Sequence, residues 1–166
     1  MHTLIRPVVQ NDLRALLDIY NHYVRHTHIT FEIEPRTLEQ QKDWYAHFGA
    51  TGRYQCFVAE VGTTVHGWAS SHRFRERAAY DTSVETSVYL APDQARKGLG
   101  RKLYGALFDA LAREDVHRAY GVIALPNAAS VALHRACGFQ RVAALNEVGR
   151  KFDRFWDVAW FEKHFT

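Results

Sequence analysis

The stretch Ser87-Val88-Tyr89-Leu90-Ala91-Pro92-Asp93-Gln94-Ala95-Arg96-Lys97-Gly98-Leu99-Gly100-Arg101-Lys102-Leu103 carries an apolar strand into a basic, glycine-bearing loop and from there into a helix. Leu99, Leu103, Leu107 and Leu111 recur every four positions, so that helix keeps one apolar face. A helix start exposes unpaired backbone N–H groups and the positive end of the macrodipole. Gly98 and Gly100 let the backbone approach a ligand closely, and Arg96, Lys97, Arg101 and Lys102 add positive charge. The combination reads as a site for a phosphate-bearing ligand.

Three phosphate loops compete for this stretch. A P-loop needs Lys-Ser/Thr after its second glycine, and here Gly100 is followed by Arg101-Lys102-Leu103, with no hydroxyl for Mg²⁺. A dinucleotide fingerprint needs a third glycine where Leu103 stands. The third loop is that of coenzyme A-dependent N-acetyltransferases, (Gln/Arg)-x-x-Gly-x-(Gly/Ala). Ala95-Arg96-Lys97-Gly98-Leu99-Gly100 resembles it, except that Ala95 holds the first position and Gln94 lies one residue early. On the loop alone, an ordinary basic helix start remains the alternative.

The bulk numbers describe an ordinary globular chain of 166 residues, 47% hydrophobic and 23% charged, consistent with one domain over residues 1–166. The net charge of +3, from 21 basic and 18 acidic residues, is too mild to imply nucleic acid. Cys56 and Cys137 form neither metal spacing nor a disulfide framework, and their scarcity fits a reducing compartment. The N-terminal segment lacks a signal-peptide apolar run, and no apolar run reaches membrane-spanning length, so a cytoplasmic protein without membrane contact is expected.

Along the chain, Leu4–Val8 reads as a strand and Asp12–Arg25 as a helix. Ile29–Glu32 reads as short and extended. Thr37-Leu38-Glu39-Gln40 is a capping box opening a helix to about His47. Tyr54–Val61 and Val65–His72 form a hairpin across Gly62-Thr63-Thr64. An arginine-rich loop, Arg73–Asp81, precedes a strand over Thr82–Leu90. The phosphate helix runs from Gly98 to about Arg113. A strand over Ala119–Leu125, a helix over Ala128–Cys137 stopped by Gly138, and two strands near Phe139–Glu147 and Phe155–Phe161 joined by a basic turn complete the pattern. The mixture indicates an α/β (α+β) layered fold.

A second signature lies in Asn127-Ala128-Ala129-Ser130-Val131-Ala132-Leu133-His134-Arg135-Ala136-Cys137-Gly138-Phe139. It resembles the Asn-…-Tyr-…-Gly-Phe half of the GNAT acetyltransferase core. Ile19–Val24, Thr30-Phe31-Glu32, Val84–Tyr89, Leu125–Ser130 and Val148–Phe152 further resemble the phosphinothricin and methionine sulfoximine acetyltransferases. His134 stands where the wider superfamily usually has tyrosine, and agrees with the phosphinothricin branch. The resemblance spans nearly the whole chain. It implies a GNAT fold: a seven-stranded, mixed, mostly antiparallel sheet with a central splay, flanked by about four helices.

The resemblance also implies acetyl-CoA as co-substrate, no metal, and a homodimer. The pantetheine would pair with Val88, Tyr89 and Leu90. The pyrophosphate would rest on Arg96, Lys97, Gly98, Leu99, Gly100 and Arg101, with Asn127 and Ser130 also on the cofactor. The acceptor would be the α-amine of a small amino-acid-like molecule. Acetyl transfer needs an amine stripped of its proton, a polarised carbonyl and a stabilised leaving thiolate. Glu85 is the candidate base, since a partly desolvated carboxylate gains basicity. Read without the family, it is a solvated strand-face glutamate. Val88 N–H would polarise the carbonyl as an oxyanion donor. His134 would protonate the thiolate, or would be a packed histidine on a helix. Arg73, Arg75 and Arg77 have the planar fork that suits a carboxylate or phosphinate, though loop arginines are also commonly just solvated. Phe31 and Tyr80 would wall the acceptor's apolar part. Glu76, Thr86, Ser87 and Lys151 complete the substrate set, with Arg154 beside Lys151 in the late turn.

Two other classes compete. A protein or peptide N-acetyltransferase would want an open acidic groove, which the arginine-rich loop disfavours. A non-catalytic acetyl-CoA-binding module would not need Glu85 and His134. The run His22-x-x-x-His26-x-His28 lacks an accompanying glutamate and carries no metal assignment. Trp44, Trp68, Trp156 and Trp160 alternate with apolar residues, as core aromatics do, rather than forming a base-stacking stripe.

Overall fold

The computed structural model describes residues 2–95 and 97–166. Along the chain come β1 (Thr3–Pro7), α1 (Leu13–His26), α2 (Leu38–Tyr45), β2 (Cys56–Val61), β3 (Thr64–Arg73), β4 (Ser83–Leu90), α3 (Leu99–Leu111), β5 (Arg118–Ala124), α4 (Ala128–Ala136), β6 (Gln140–Lys151) and β7 (Arg154–His164). Among the described residues, seven strands form one sheet in the order β1-β2-β3-β4-β5-β7-β6. Every pairing is antiparallel except β4 with β5. This is the mixed sheet implied by the family resemblance.

Alternation along β4 sorts its side chains between two layers. Val84 and Val88 pack with Leu99, Leu103, Leu107 and Leu111 of α3, the four-residue stripe legible in the sequence. Tyr89 packs on the opposite side with Tyr20 of α1 and Trp68 of β3. Thr37 and Gln40 make the expected reciprocal capping box at α2. Gly138, at φ 88°, ends α4 in the left-handed region.

Two local expectations are corrected. Residues 29–32 belong to no strand; this segment bends so that Thr30 can bond Tyr20. The basic segment 148–151 is not a turn but the end of β6. The β6–β7 reversal is at Phe152 and Asp153, with φ of 54° and 55°, as in two-residue hairpin turns. The usual Asn-Gly or Asp-Gly signal is missing there, and two register shifts in β6 hide its alternation.

Candidate active site

The centre of the sheet opens where its two halves part. β4 and β5 pair in parallel only over Ser83–Glu85 and Arg118–Tyr120. Beyond Glu85, β4 stays with β3 while β5 follows β7. Ala91 N–H donates to His66 O at 2.8 Å, and antiparallel pairs alternate between bonded and non-bonded. Tyr89 and Ser87 therefore spend their backbone groups on β3, and those of Val88 and Leu90 face the splay. Tyr23 OH donates to Leu90 O at 2.6 Å. The Val88 N–H is left pointing into the gap.

A groove of about 720 Å³ runs from this gap between α3 and α4. At its outer end Gly98, at φ 78°, caps α3 in a left-handed conformation that a side chain would strain. A Cβ on Gly100 would lie 2.9 Å from Leu133 Cδ2, so the glycine lets α3 and α4 approach closely. Gly98, Gly100, Arg101, Asn127 and Ser130 line the groove, as do Val88, Tyr89 and Leu90. Asn127 also caps α4, its Oδ1 accepting from Ser130 N–H at 3.2 Å. Leu99 turns into the core, and the Lys97 ammonium donates to Gln94 Oε1 at 3.3 Å. Arg96 lies outside the described residues. Thr86 Oγ1 is buried against this groove with no hydrogen-bond partner among the described residues.

His134 is buried at the inner end. Its Nδ1 lies 2.7 Å from Ser130 O, which only an N–H can satisfy, so Nε2 is the lone pair that accepts from Tyr104 OH at 3.1 Å. Burial lowers the His134 pKa, partly opposed by the Ser130 bond, and burial raises that of Tyr104. The ring fits because position 121 is glycine: a Cβ there would sit 2.5 Å from Nε2.

On the other face of β4, Glu85 and Ser87 point the same way. Burial raises the Glu85 pKa, opposed by the nearby Arg75 guanidinium. That guanidinium lies over Phe74 at 4.5 Å and Trp160 at 5.3 Å. Arg73 instead ties its own loop together, donating to Arg75 O and Glu76 O, while Glu76 and Arg77 are exposed. Tyr80, 44% exposed, meets the Phe74 ring edge-on. Phe31 fills the space that a side chain at Gly149 would need. Lys151 is buried and donates to Thr30 O at 2.8 Å. Burial lowers its pKa, opposed by Glu32.

Also on this face is a second cavity, of about 220 Å³, between α1–α2 and β3–β4. Ser87 and Tyr89 line both cavities, one on each side of β4. Arg36, His72, Ser70 and Tyr104 escaped the sequence reading. Tyr104 is inside the apolar stripe of α3 and looks like any core aromatic. His72 and Arg36 carry no motif. Among the described residues no cluster of three or more His, Cys, Asp or Glu could hold a metal.

With this geometry in hand, the comparisons are specific. The family model "Acetyltransferase (GNAT) domain" matches residues 5–160. A phosphinothricin N-acetyltransferase of Streptomyces coelicolor is 50% identical over 161 residues, covering 96% of this chain and 94% of that protein. An L-methionine sulfoximine/L-methionine sulfone acetyltransferase of Salmonella typhimurium is 35% identical over 158 residues, covering 95% and 92%. The crystal structure of a GNAT superfamily phosphinothricin acetyltransferase from Sinorhizobium meliloti, in complex with acetyl-CoA, superposes with a TM-score of 0.93 at 30% identity, covering 99% of this chain and 89% of that one.

Proposed function

The chain belongs to the GNAT acetyltransferase family, and from that premise we propose that it moves an acetyl group from acetyl-CoA to the α-amine of a small amino-acid-like acceptor of the phosphinothricin or methionine sulfoximine kind. The observation that carries this reading is a pair of cavities that share Ser87 and Tyr89 in their lining: a long groove bordered by Gly98 and Gly100 on one side of β4, and a small polar-aromatic chamber on the other. The residues present fit acetyl-CoA, with Gly98, Gly100 and Arg101 for the pyrophosphate and the open β4 edge for the pantetheine. Bound there, it supplies an acetyl group activated as a thioester and a thiolate able to leave.

The chain's own residues do the rest. Glu85 takes a proton from the acceptor's ammonium; burial raises its pKa and so makes it a stronger base than an ordinary carboxylate. The Val88 N–H, fixed by β3–β4 pairing, offers a preorganised donor at the splay. Tyr104 and His134 form one hydrogen-bonded unit at the groove's inner end, able to share a proton with a leaving group. Arg75, set between the Phe74 and Trp160 rings, presents its charge beside Glu85 to an acidic acceptor.

The reading extends to a homodimer. Leu145, Val148, Phe152 and Phe155 of the β6–β7 hairpin are exposed, Phe155 by 57%, and such a patch is what an interface buries. Free Cys56 and Cys137 support a reducing compartment, hence the cytoplasmic reading. No helix among the described residues is long and apolar enough to cross a membrane.

The test is coenzyme A release with a panel of amines: L-phosphinothricin, L-methionine sulfoximine, L-methionine sulfone, ordinary L-amino acids, an aminoglycoside and a lysine peptide. Turnover concentrated on the first three is expected. Turnover on the peptide or aminoglycoside alone would replace the acceptor, and no turnover at all would leave an acetyl-CoA-binding module.

A further inference from the structure

Arg36 has a setting that the transfer chemistry above does not use. It lies near the end of the α1–α2 loop, where its backbone N–H donates to Asn21 Oδ1 at 2.8 Å and its C=O accepts from Asn21 Nδ2 at 2.9 Å. Its guanidinium carbon lies over the Tyr20 ring, 4.3 Å from the centroid, and the side chain is only 16% exposed. Nη1 donates to Gln41 Oε1 and Nη2 to Glu32 Oε1, both at 3.0 Å. A guanidinium has five N–H donors in a rigid fork, so some are unengaged by the described residues. Its only acidic partner among them is Glu32, itself 45% exposed and free to swing into solvent.

The walls around this cation are built for an anion. Tyr20, Trp44, Trp68 and Tyr89 wall the chamber with aromatic surface, which lowers the local screening of a charge pairing beside it. His72 faces in from β3, its Nε2 2.8 Å from Ser70 Oγ. Burial and the nearby Arg36 hold this histidine neutral, so the pair adds polar contacts without a second charge. At about 220 Å³ the chamber suits one small oxyacid group with a few carbons, and is too small for a peptide chain. Ser87, on the face of β4 that also carries Glu85, is part of its lining.

We propose that this chamber is a second anion subsite of the acceptor site, in which Arg36, helped by the His72–Ser70 pair, holds a carboxylate or phosphinate group of the amino-acid acceptor. The inference rests on the amino-acid reading of the acceptor. It is separate from Arg75, which approaches Glu85 from the Phe74–Trp160 side. An acceptor with two acidic groups would use both cations.

Calorimetric titration of the full chain with L-phosphinothricin and L-methionine sulfone, in the presence of coenzyme A, tests it alongside steady-state kinetics. Arg36→Met is expected to weaken acceptor binding roughly ten- to hundred-fold, as for a lost hydrogen bond to a charged group, with the KM for acetyl-CoA held. An equal loss for both acceptors assigns Arg36 to the α-carboxylate they share. A loss for phosphinothricin alone assigns it to the side-chain phosphinate. Glu32→Gln, which removes the competing carboxylate, is expected to tighten binding, a change of sign that a merely structural role of Arg36 would not produce. Unchanged affinity for both acceptors in Arg36→Met, with the wild type acetylating them, overturns the subsite and leaves the acceptor reading standing. A wild type that neither binds nor acetylates either molecule overturns both.

Discussion

The Tyr104 hydroxyl donates to His134 Nε2 at 3.1 Å, while His134 Nδ1–H is held by Ser130 O at 2.7 Å. Both nitrogens of the imidazole are thus occupied, and Tyr104 and His134 line the groove together. Because the two residues act as one unit, their losses should not add. Tyr104→Phe and His134→Ala are each expected to lower kcat by a similar factor, with the double variant little worse than either single one. Independent, multiplying losses in a double-mutant cycle would show that the link carries nothing.

Glu85 should dominate the pH profile. Burial raises its pKa above the ordinary carboxylate value, and the base works only when ionised. The acid limb of kcat/KM is therefore expected above the usual glutamate range, with activity falling as pH drops through it. Glu85→Gln should lower kcat at neutral pH by roughly a hundred-fold or more, a larger loss than in His134→Ala, and remove that limb. The KM for acetyl-CoA should stay near normal. Undiminished turnover in the variant would rule Glu85 out as the base.

Arg75 has two readouts. As an acid anchor its loss should raise the acceptor KM about ten-fold with a smaller change in kcat. As the cation that holds the Glu85 pKa down, its loss should also move the acid limb to higher pH. A defect confined to kcat, with an unmoved limb, would argue against both roles of Arg75→Ala.

His72 links stability to pH. Burial first, then Arg36 and His47, pulls it from 6.5 to about 4. Between those values the unfolded chain binds the proton and the folded chain does not. The contribution is full above pH 6.5 and drains as pH falls toward 4, amounting to at most about 3 kcal/mol, of which about 2 is gone by pH 5. Urea unfolding at pH 7 and pH 5 should show a smaller difference in His72→Gln than in the wild type. Equal differences would mean that His72 is not held neutral.

Much of the frame was legible because it rests on local chemistry. Leu99, Leu103, Leu107 and Leu111 announce α3, and the Thr37–Gln40 box announces α2. The cap role of Asn127 can also be seen from its place before an apolar helix. The late hairpin was less legible: Phe152 and Asp153 turn the chain without glycine, and the exposed, bulged β6 lacks the alternation that marks a strand. In the site, Glu85 and His134 stood out through family resemblance. Arg73 looked the equal of Arg75, yet it is spent on its own loop while Arg75 lies over Phe74 and Trp160.

By itself the sequence determined the order of elements and the glycine pair Gly98 and Gly100 at a helix start, because periodicity, caps and close-approach glycines are written in residues near one another; the kind of transfer chemistry came from the resemblance to the family. Only the tertiary structure decided that β4 and β5 part after Glu85, that Tyr104 reaches His134, and that Arg36 and His72 share a chamber with Ser87. Those relationships join segments far apart in the chain. They are set by strand register and by which face of the sheet each helix covers, and no local pattern of residues encodes either.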